Sequence, residues 1–281
     1  MNKKYILTIA ALSGIIAAPL AQGAIAWTAG APGGTSGGAL EFGGNAATDF
    51  LATGIAADDI GGNRGGGTPT DYTIGLWINA DTNNDNQWFL GTGNRGLHLG
   101  IQNGNSLEVG HWSADSSGTT TVPAGTWVHA TFTYDADGGT GGTTGLQTIY
   151  FNGAFDGSAD NAAPDQSGTD LQIGSRNGTS GPAFTGSLDD VAIWNTVLSA
   201  TDIADLASGA QSATDLGALA YYDFEDDQTG TTAAVQGTGL GATTLTGIEA
   251  IPEPSSMALI ILGAAGFLRR CLLYTSPSPR D

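Results

Sequence analysis

The chain has 281 residues, 45 of them glycine, with 12% charged and 40% hydrophobic residues, one cysteine and a net charge of −19. That much glycine excludes long helices, and that much apolar content excludes a wholly disordered chain. Between Ala24 and Ala250 the basic residues are only Arg64, Arg95 and Arg176, whereas Glu253 and Asp281 are the only acids outside it; such a body repels nucleic acid and anionic membranes, because binding phosphate needs Lys or Arg to displace counterions.

Residues 1–26 read as a secretory signal peptide. Lys3 and Lys4 supply the charged start, and Ile6–Ala18 is an apolar run shorter than the ~20 residues of a membrane span. Small residues follow, allowing cleavage by a signal peptidase after Gly23 or after Ala26. From Ile25 to Pro69, glycine-rich loops surround one clear strand, Ala39–Phe42. Gly61–Gly67 (GGNRGGG) is a loop and not a phosphate cradle, since neither a Lys-Ser/Thr pair nor a strand-to-helix context follows it.

Alternation then dominates. Tyr72, Ile74, Leu76 and Ile78 share one face of a strand, as do Leu97, Leu99 and Ile101, then Leu107 and Val109. Val128, Ala130, Phe132 and Tyr134 follow, then Ile149 and Phe151, then Leu171 and Ile173, with turns at Asn103-Gly104 and Asn152-Gly153. Many short period-two strands with turn signals between them predict an all-β sandwich over residues 27–247. Phe184–Gly209 adds a strand, opened by Gly186, and one short helix that is capped by Ser199 and stopped by Gly209. In the strand, alternation puts Asp189 on the row of Val191 and Ile193. A carboxylate on a core-facing row must be hydrogen-bonded, paired or metal-bound; alternatively Asp189 sits at the end of the sheet and accepts backbone N–H bonds. Leu219–Gly247 reads as a closing edge strand of the same sandwich.

The run FTGSLDDVAIWNTVLSATDIADL at the end of this region, together with Thr126–Asp135 and Asp71–Ala80, resembles laminin G-like, concanavalin A-like jelly-roll modules. The resemblance implies a jelly-roll β-sandwich with one short helix. It also implies that Asp189 can share one structural Ca²⁺ with backbone carbonyls of the opening strand region, here near Phe42–Gly44. Asp81, Asn83 and Asp85 are spaced as oxygen ligands often are, but Asn86 and Thr92 stand where a calcium loop needs Gly and Glu, and Asp and Asn populate ordinary turns. Trp88, Phe89 and Trp112 lie in or beside loop-like segments and are the candidate sugar-stacking residues; Trp77, Trp127 and Trp194 lie within strands and read as packing. Glu41, Glu108 and Glu225 are isolated in sequence, and His98, His111 and His129 fall in separate segments without a paired nucleophile, so no catalytic residues are assigned.

Residues 251–270 (IPEPSSMALIILGAAGFLRR) closely resemble the PEP-CTERM sorting tail: Pro-Glu-Pro, the apolar run Met257–Leu268, then Arg269 and Arg270 as the cytoplasmic positive end. The resemblance implies an apolar sorting helix, transient attachment to the membrane and processing by an exosortase in an exopolysaccharide-making, Gram-negative-type bacterium. The sequence therefore predicts an exported, surface-sorted, non-enzymatic module that binds glycan or mediates adhesion in an extracellular polysaccharide matrix. Two alternatives stay open: a polysaccharide-active glycoside hydrolase or lyase on the same fold, and a structural surface protein without a specific ligand.

Residues 271–281 (CLLYTSPSPRD) resemble read-through of a transposase sequencing adaptor, and they include the single cysteine. The genomic gene is expected to diverge at or just before Cys271 and to add at most a few Arg- or Lys-rich residues. Long-read sequencing of the locus checks this; recovery of CLLYTSPSPRD from unamplified DNA refutes it.

Overall fold

Tyr72–Ala80 sets Tyr72, Ile74, Leu76 and Ile78 against Thr73, Gly75, Trp77 and Asn79, and it forms a strand over those same residues. The computed structural model describes residues 25–34, 37–62, 67–84, 86–93, 96–111, 113–140, 144–164, 170–176, 182–225, 232–234, 244–246 and 248. The predicted segments 251–270 and 271–281, and the signal segment up to residue 24, lie outside the described residues.

In chain order the elements are β1 (Ile25–Ala29), β2 (Gly38–Asn45), β3 (Leu51–Ala52), β4 (Tyr72–Ala80), β5 (Gln87–Gly91), β6 (His98–Gln102), β7 (Ser106–Gly110) and β8 (Asp115–Thr121). They continue with β9 (Val128–Asp135), β10 (Gly145–Phe151), β11 (Ala154–Asn161), β12 (Gln172–Ile173), β13 (Pro182–Trp194), helix α1 (Ala200–Ser208), β14 (Ala220–Tyr222), β15 (Thr232–Ala234) and β16 (Thr244–Thr246). A large sheet runs β1-β2-β13-β4-β9-β10-β11, with β14 pairing β13; a small sheet runs β3-β12-β5-β6-β7-β8; β15 and β16 pair separately. The result is the all-β sandwich with one short helix that the alternation predicts.

The core lies between the two sheets. Ile74, Leu76, Ile78, Val128, Phe132, Leu188, Val191 and Ile193 of the large sheet meet Phe89, Leu99, Ile101, Leu107 and Val109 of the small one, all buried. A second apolar cluster sits on the opposite, outer face of the large sheet, where Ile203 and Leu206 of α1 cover Trp194, Ala192 and Tyr221. The helix begins where the sequence places it: the Ser199 side chain accepts the Asp202 N–H, and Gly209 ends it in a left-handed conformation.

Three features differ from the alternation or lie outside it. Ile25 and Ala26, assigned to the signal segment, already pair with Phe42 and Glu41 as the start of β1. The strand β8 (DSSGTTT) is polar along its length, β11 (AFDGSADN) is so apart from two alanines and Phe155, and neither carries a period-two apolar row. Both are terminal strands of their sheets, where fewer core contacts demand fewer apolar residues.

The third is a β-bulge in β13. Leu188 pairs with Ile78 and Asp189 with Trp77, but the next pair is Ala192 with Gly75. The extra residue exchanges the two faces. Phe184 and Leu188 point to the core before the bulge, and Val191 and Ile193 do so after it. Asp189 is therefore not on their row, as strict alternation predicts, but on the outer face beside Trp77.

Gly186 does not open this strand; it lies inside it, at φ +137°, and a Cβ there would meet the Asn79 carbonyl and stand 2.9 Å from Ala80 Cα. Gly186→Ala is expected to destabilise the fold by about 2–4 kcal/mol, combining backbone strain with overpacking against β4. Gly125→Ala, at φ +65° with open space around it, should cost only about 1 kcal/mol. Thermal melts of the two variants check this, and equal shifts would contradict it.

Candidate functional site

The bulge shapes a cleft on the outer face of the large sheet. After it, β13 presents Ala192 and Trp194; alongside, β4 presents Thr73, Gly75 and Trp77, in the cross-strand pairs Trp194–Thr73, Ala192–Gly75 and Asp189–Trp77. The small pair Ala192–Gly75 thus lies between two indoles, with Thr131 beside Gly75 and His129 beside Trp77 on β9. The Trp194 ring packs toward Gly75, where a Cβ would stand 3.5 Å from it, and a recess remains between this floor and Trp77. Gly33 and Gly34 from the turn after β1, and Gly209–Asp215 after α1, rise around it to enclose about 320 Å³, near the lower end of the usual size for ligand sites.

The lining is aromatic and polar, without a positive charge. Trp77, Trp194 and Tyr221 are the aromatic walls, and Asp190, Gln211, Ser212 and Asp215 supply polar groups. The indole Nε1 of Trp194 is buried without a hydrogen-bond partner. Burial lowers the pKa of His129 to about 4, so it is neutral at physiological pH; its ring meets Trp77 edge-on at 5.1 Å. Asp190, at φ +49° in the bulge, accepts a hydrogen bond from the Tyr221 hydroxyl.

Asp189 lies next to this cleft and is fully buried. Its Oδ2 accepts the Ala31 N–H at 2.7 Å and its Oδ1 the Asp190 N–H at 2.8 Å. Burial first, then the charges of Asp190 and Glu225, push its carboxyl up to about 8 against the pull of those two N–H bonds. Its N–H donors come from the turn after β1 and from β13 itself, and Phe42 pairs with Gly186 further along the same strand. Glu225 approaches the same turn, accepting the Gly38 N–H at 3.2 Å.

The sequence-predicted aromatics have other places. Trp88 and Phe89 are not in a loop but in β5, 1% and 0% exposed. Phe89 faces the core against Phe132 and Phe184. Trp88 is on the outer face of the small sheet, covered by the Arg176 guanidinium at 4.5 Å. Neither offers a free ring face to a sugar. Trp112 and Asp85 lie outside the described residues. Asp81 is exposed, and the turn it shares with Asn83 is held by the Gln87 amide, which donates to the Thr82 and Asn84 carbonyls. Among the described residues the exposed large hydrophobic is Phe155, edge-on to Tyr150 at 6.4 Å.

A second constellation is invisible in the sequence because its members are far apart along the chain. His98, Glu108 and Asp115 offer ligand atoms all within 4.8 Å of one another on the outer face of the small sheet. Glu108 is pushed up to about 7, chiefly by burial and also by Asp115, against hydrogen bonds from Ser117 and Asn103 and the charge of Arg176.

Residues 54–204 match the family described as the concanavalin A-like lectin/glucanases superfamily, and residues 250–270 match the PEP-CTERM protein-sorting motif. No curated protein matches the chain in sequence. Among solved structures, a Bacteroides ovatus protein proposed to bind carbohydrate is 21% identical over 70% of this chain and 56% of its own, with a TM-score of 0.51. This chain thus spans little more than half of that protein. Domain 4 of AbnA, a GH43 extracellular arabinanase of Geobacillus stearothermophilus solved with arabinotriose, is 20% identical over 66% and 82% of the two chains, with a TM-score of 0.46. The CBM40 of a Ruminococcus gnavus IT-sialidase, bound to α2,3 sialyllactose, is 20% identical over 49% and 83%, with a TM-score of 0.41. At such identities the likeness concerns the fold.

Asp189 has a measurable signature. Its folded pKa of about 8 lies above the ordinary ~3.9 of the unfolded chain. The folded state therefore holds the proton more tightly, and stability falls as pH rises from about 4 to about 8. In chelator-treated protein this loss should be on the order of 3–5 kcal/mol. Asp189→Asn should remove that contribution, leaving the shallower fall that the raised Glu108 gives below about pH 7, whatever constant cost the amide incurs against two N–H donors. Chemical denaturation at pH 4.5, 6 and 8 checks it.

Proposed function

The chain belongs to the concanavalin A-like lectin/glucanases superfamily, and from that premise we propose that it is a non-enzymatic module binding a neutral glycan of an extracellular polysaccharide matrix in the Trp77–Trp194 cleft. The observation that carries this reading is the recess itself: Trp77, 8% exposed, borders a floor of Gly75 and Ala192 that rests against the buried Trp194, with carboxylate, amide and hydroxyl groups in its lining. Aromatic surfaces suit the C–H edges of a sugar ring, while the polar groups meet its hydroxyls. Asp190, Asp215 and a neutral His129 disfavour an acidic ligand, so a neutral sugar fits best. The fold shared with the Bacteroides ovatus protein agrees with this reading.

The PEP-CTERM motif directs the chain to export and to sorting at the cell envelope, and it implies exosortase as a processing partner. Among the described residues no helix is long and apolar enough to cross a membrane. A signal peptide over 1–26 and residence at the outer surface complete the proposed route.

We also propose that one structural Ca²⁺ is held beside Asp189. Asp189, Asp190 and Glu225 are oxygen donors of the kind calcium takes, and the charges of Asp190 and Glu225 raise the pKa of the buried Asp189. A Cβ at Gly37 would collide with Glu225, so a glycine there admits the carboxylate. The ion would neutralise a carboxylate group that otherwise resists ionisation.

A panel of neutral and acidic polysaccharides tests the function. Retention of a neutral glycan without new reducing ends or unsaturated products is expected. Trp77→Ala should weaken it by about 2 kcal/mol, or ~30-fold in Kd. Gly75→Val, which sets a side chain against the Trp194 ring 3.5 Å from the new Cβ, should abolish it, with circular dichroism establishing that the variant is folded. Turnover, or binding that Gly75→Val leaves intact, would defeat the proposal.

A further inference from the structure

The outer face of the small sheet carries a metal-ligand arrangement built by strand register. Antiparallel pairing puts His98, Gly110 and Asp115 in one row across β6, β7 and β8, and Gly100, Glu108 and Ser117 in the next. His98 and Asp115 thus flank Gly110, and Glu108 stands diagonally to both. A Cβ at Gly110 would collide with His98 Nε2 and lie 2.5 Å from Asp115 Oδ1. The space that lets these two groups converge exists because residue 110 has no side chain.

The separation of those groups is informative. His98 Nε2 and Asp115 Oδ1 are 3.6 Å apart, longer than an ordinary hydrogen bond. Two ligands bound at ~2.1 Å on a tetrahedral zinc lie about 3.4 Å apart. Glu108 is 3% exposed, and its Oε2 accepts hydrogen bonds from Asn103 and, at 3.1 Å, from Ser117. Among the described residues, its Oε1 accepts none. That is a buried carboxylate braced on one oxygen and open on the other, the way an outer shell commonly holds a metal ligand. Trp88 packs edge-on to the His98 ring at 4.8 Å and fixes the imidazole plane from the other side. Arg176, the one Lys or Arg side chain among the described residues, stacks on Trp88, and its charge also reaches Glu108.

We infer that His98, Glu108 and Asp115 form a site for one divalent transition-metal ion, with zinc as the probe. One imidazole nitrogen and two carboxylates suit zinc and its neighbours better than calcium, which takes six or more oxygens. Three protein ligands leave a coordination position open on the side of Asp115, whose side chain is 39% exposed. The site is on the outer face of the small sheet, whereas the Trp77–Trp194 cleft is on the outer face of the large one, so either can fail without the other.

The test uses the untagged full chain, stripped with chelator and titrated with zinc by calorimetry in millimolar calcium, which occupies adventitious carboxylate sites. About one zinc per chain is expected. Asp115→Asn and His98→Gln should each weaken binding by more than the ~10- to 100-fold typical of residues that only support a ligand. Gly110→Ala should do the same without removing a ligand. Cobalt in place of zinc should give visible absorption bands that disappear in His98→Gln. Circular dichroism and a melt establish that each variant is folded; if His98→Gln is not, the half-exposed Asp115→Asn decides. No zinc binding, or binding that survives Asp115→Asn, overturns the inference.

Discussion

One extra residue in a central strand organises the large sheet's outer face. β13 is flanked by β2 and β4, so the bulge between Asp189 and Ala192 cannot be absorbed at an edge. It forces the strand to exchange faces while both halves stay packed. Leu188 and Val191 can both reach the core only because the strand gains a residue between them. The same insertion turns two consecutive aspartates outward, one buried against the turn after β1 and one at the mouth of the cleft. It also puts Ala192, not a larger residue, opposite Gly75, which opens the floor between the indoles. Cleft, acidic pair and core packing are consequences of one irregularity.

The second constraint is the scarcity of positive charge. In most proteins a buried Asp189 would be paired with Arg or Lys. Here the partners are backbone N–H groups and other acids, and the pKa rises instead of falling. Glu108 shows the same pattern on the other face, relieved only partly by Arg176. A chain with this composition can stabilise a buried carboxylate by a proton, by backbone donors or by a metal ion. The first two operate at Asp189; the third is the proposal made for both acidic clusters.

The fold was legible wherever one face of a strand is buried. β4, β6, β7 and β9 write their core rows as period-two apolar residues, and α1 writes its own cap and stop. β8 and β11 were not legible, since terminal strands need no such row. The candidate site was largely illegible for three physical reasons. The bulge exchanges faces without any local residue announcing it, so alternation alone puts Asp189 on the wrong row. Trp77 and Trp194 were read as packing because a tryptophan in a strand usually packs, and both do so while lining a cleft. His98, Glu108 and Asp115 meet only through strand register, which no spacing in the sequence encodes. The available signal was glycine: Gly75 interrupts an otherwise bulky strand, YTIGLWIN, where a missing side chain marks space or close approach.

Glycine is thus more than a compositional veto on helices. On the large sheet Gly75 admits the Trp194 ring close to the strand, and on the small sheet Gly110 leaves room for His98 and Asp115 to converge. Gly75 sits in the interior of β4 and Gly110 ends β7 between two paired neighbours, positions where glycine weakens the ladder. The sandwich can tolerate that loss because its core rows, facing the other way, are filled without a break by Ile74, Leu76, Leu107 and Val109. Since successive residues of a strand face opposite sides, removing a side chain from the outer face leaves the core untouched. The two faces of each sheet can therefore be specified independently, the inner one for stability and the outer one for the proposed sites, and both proposed sites are built around a glycine.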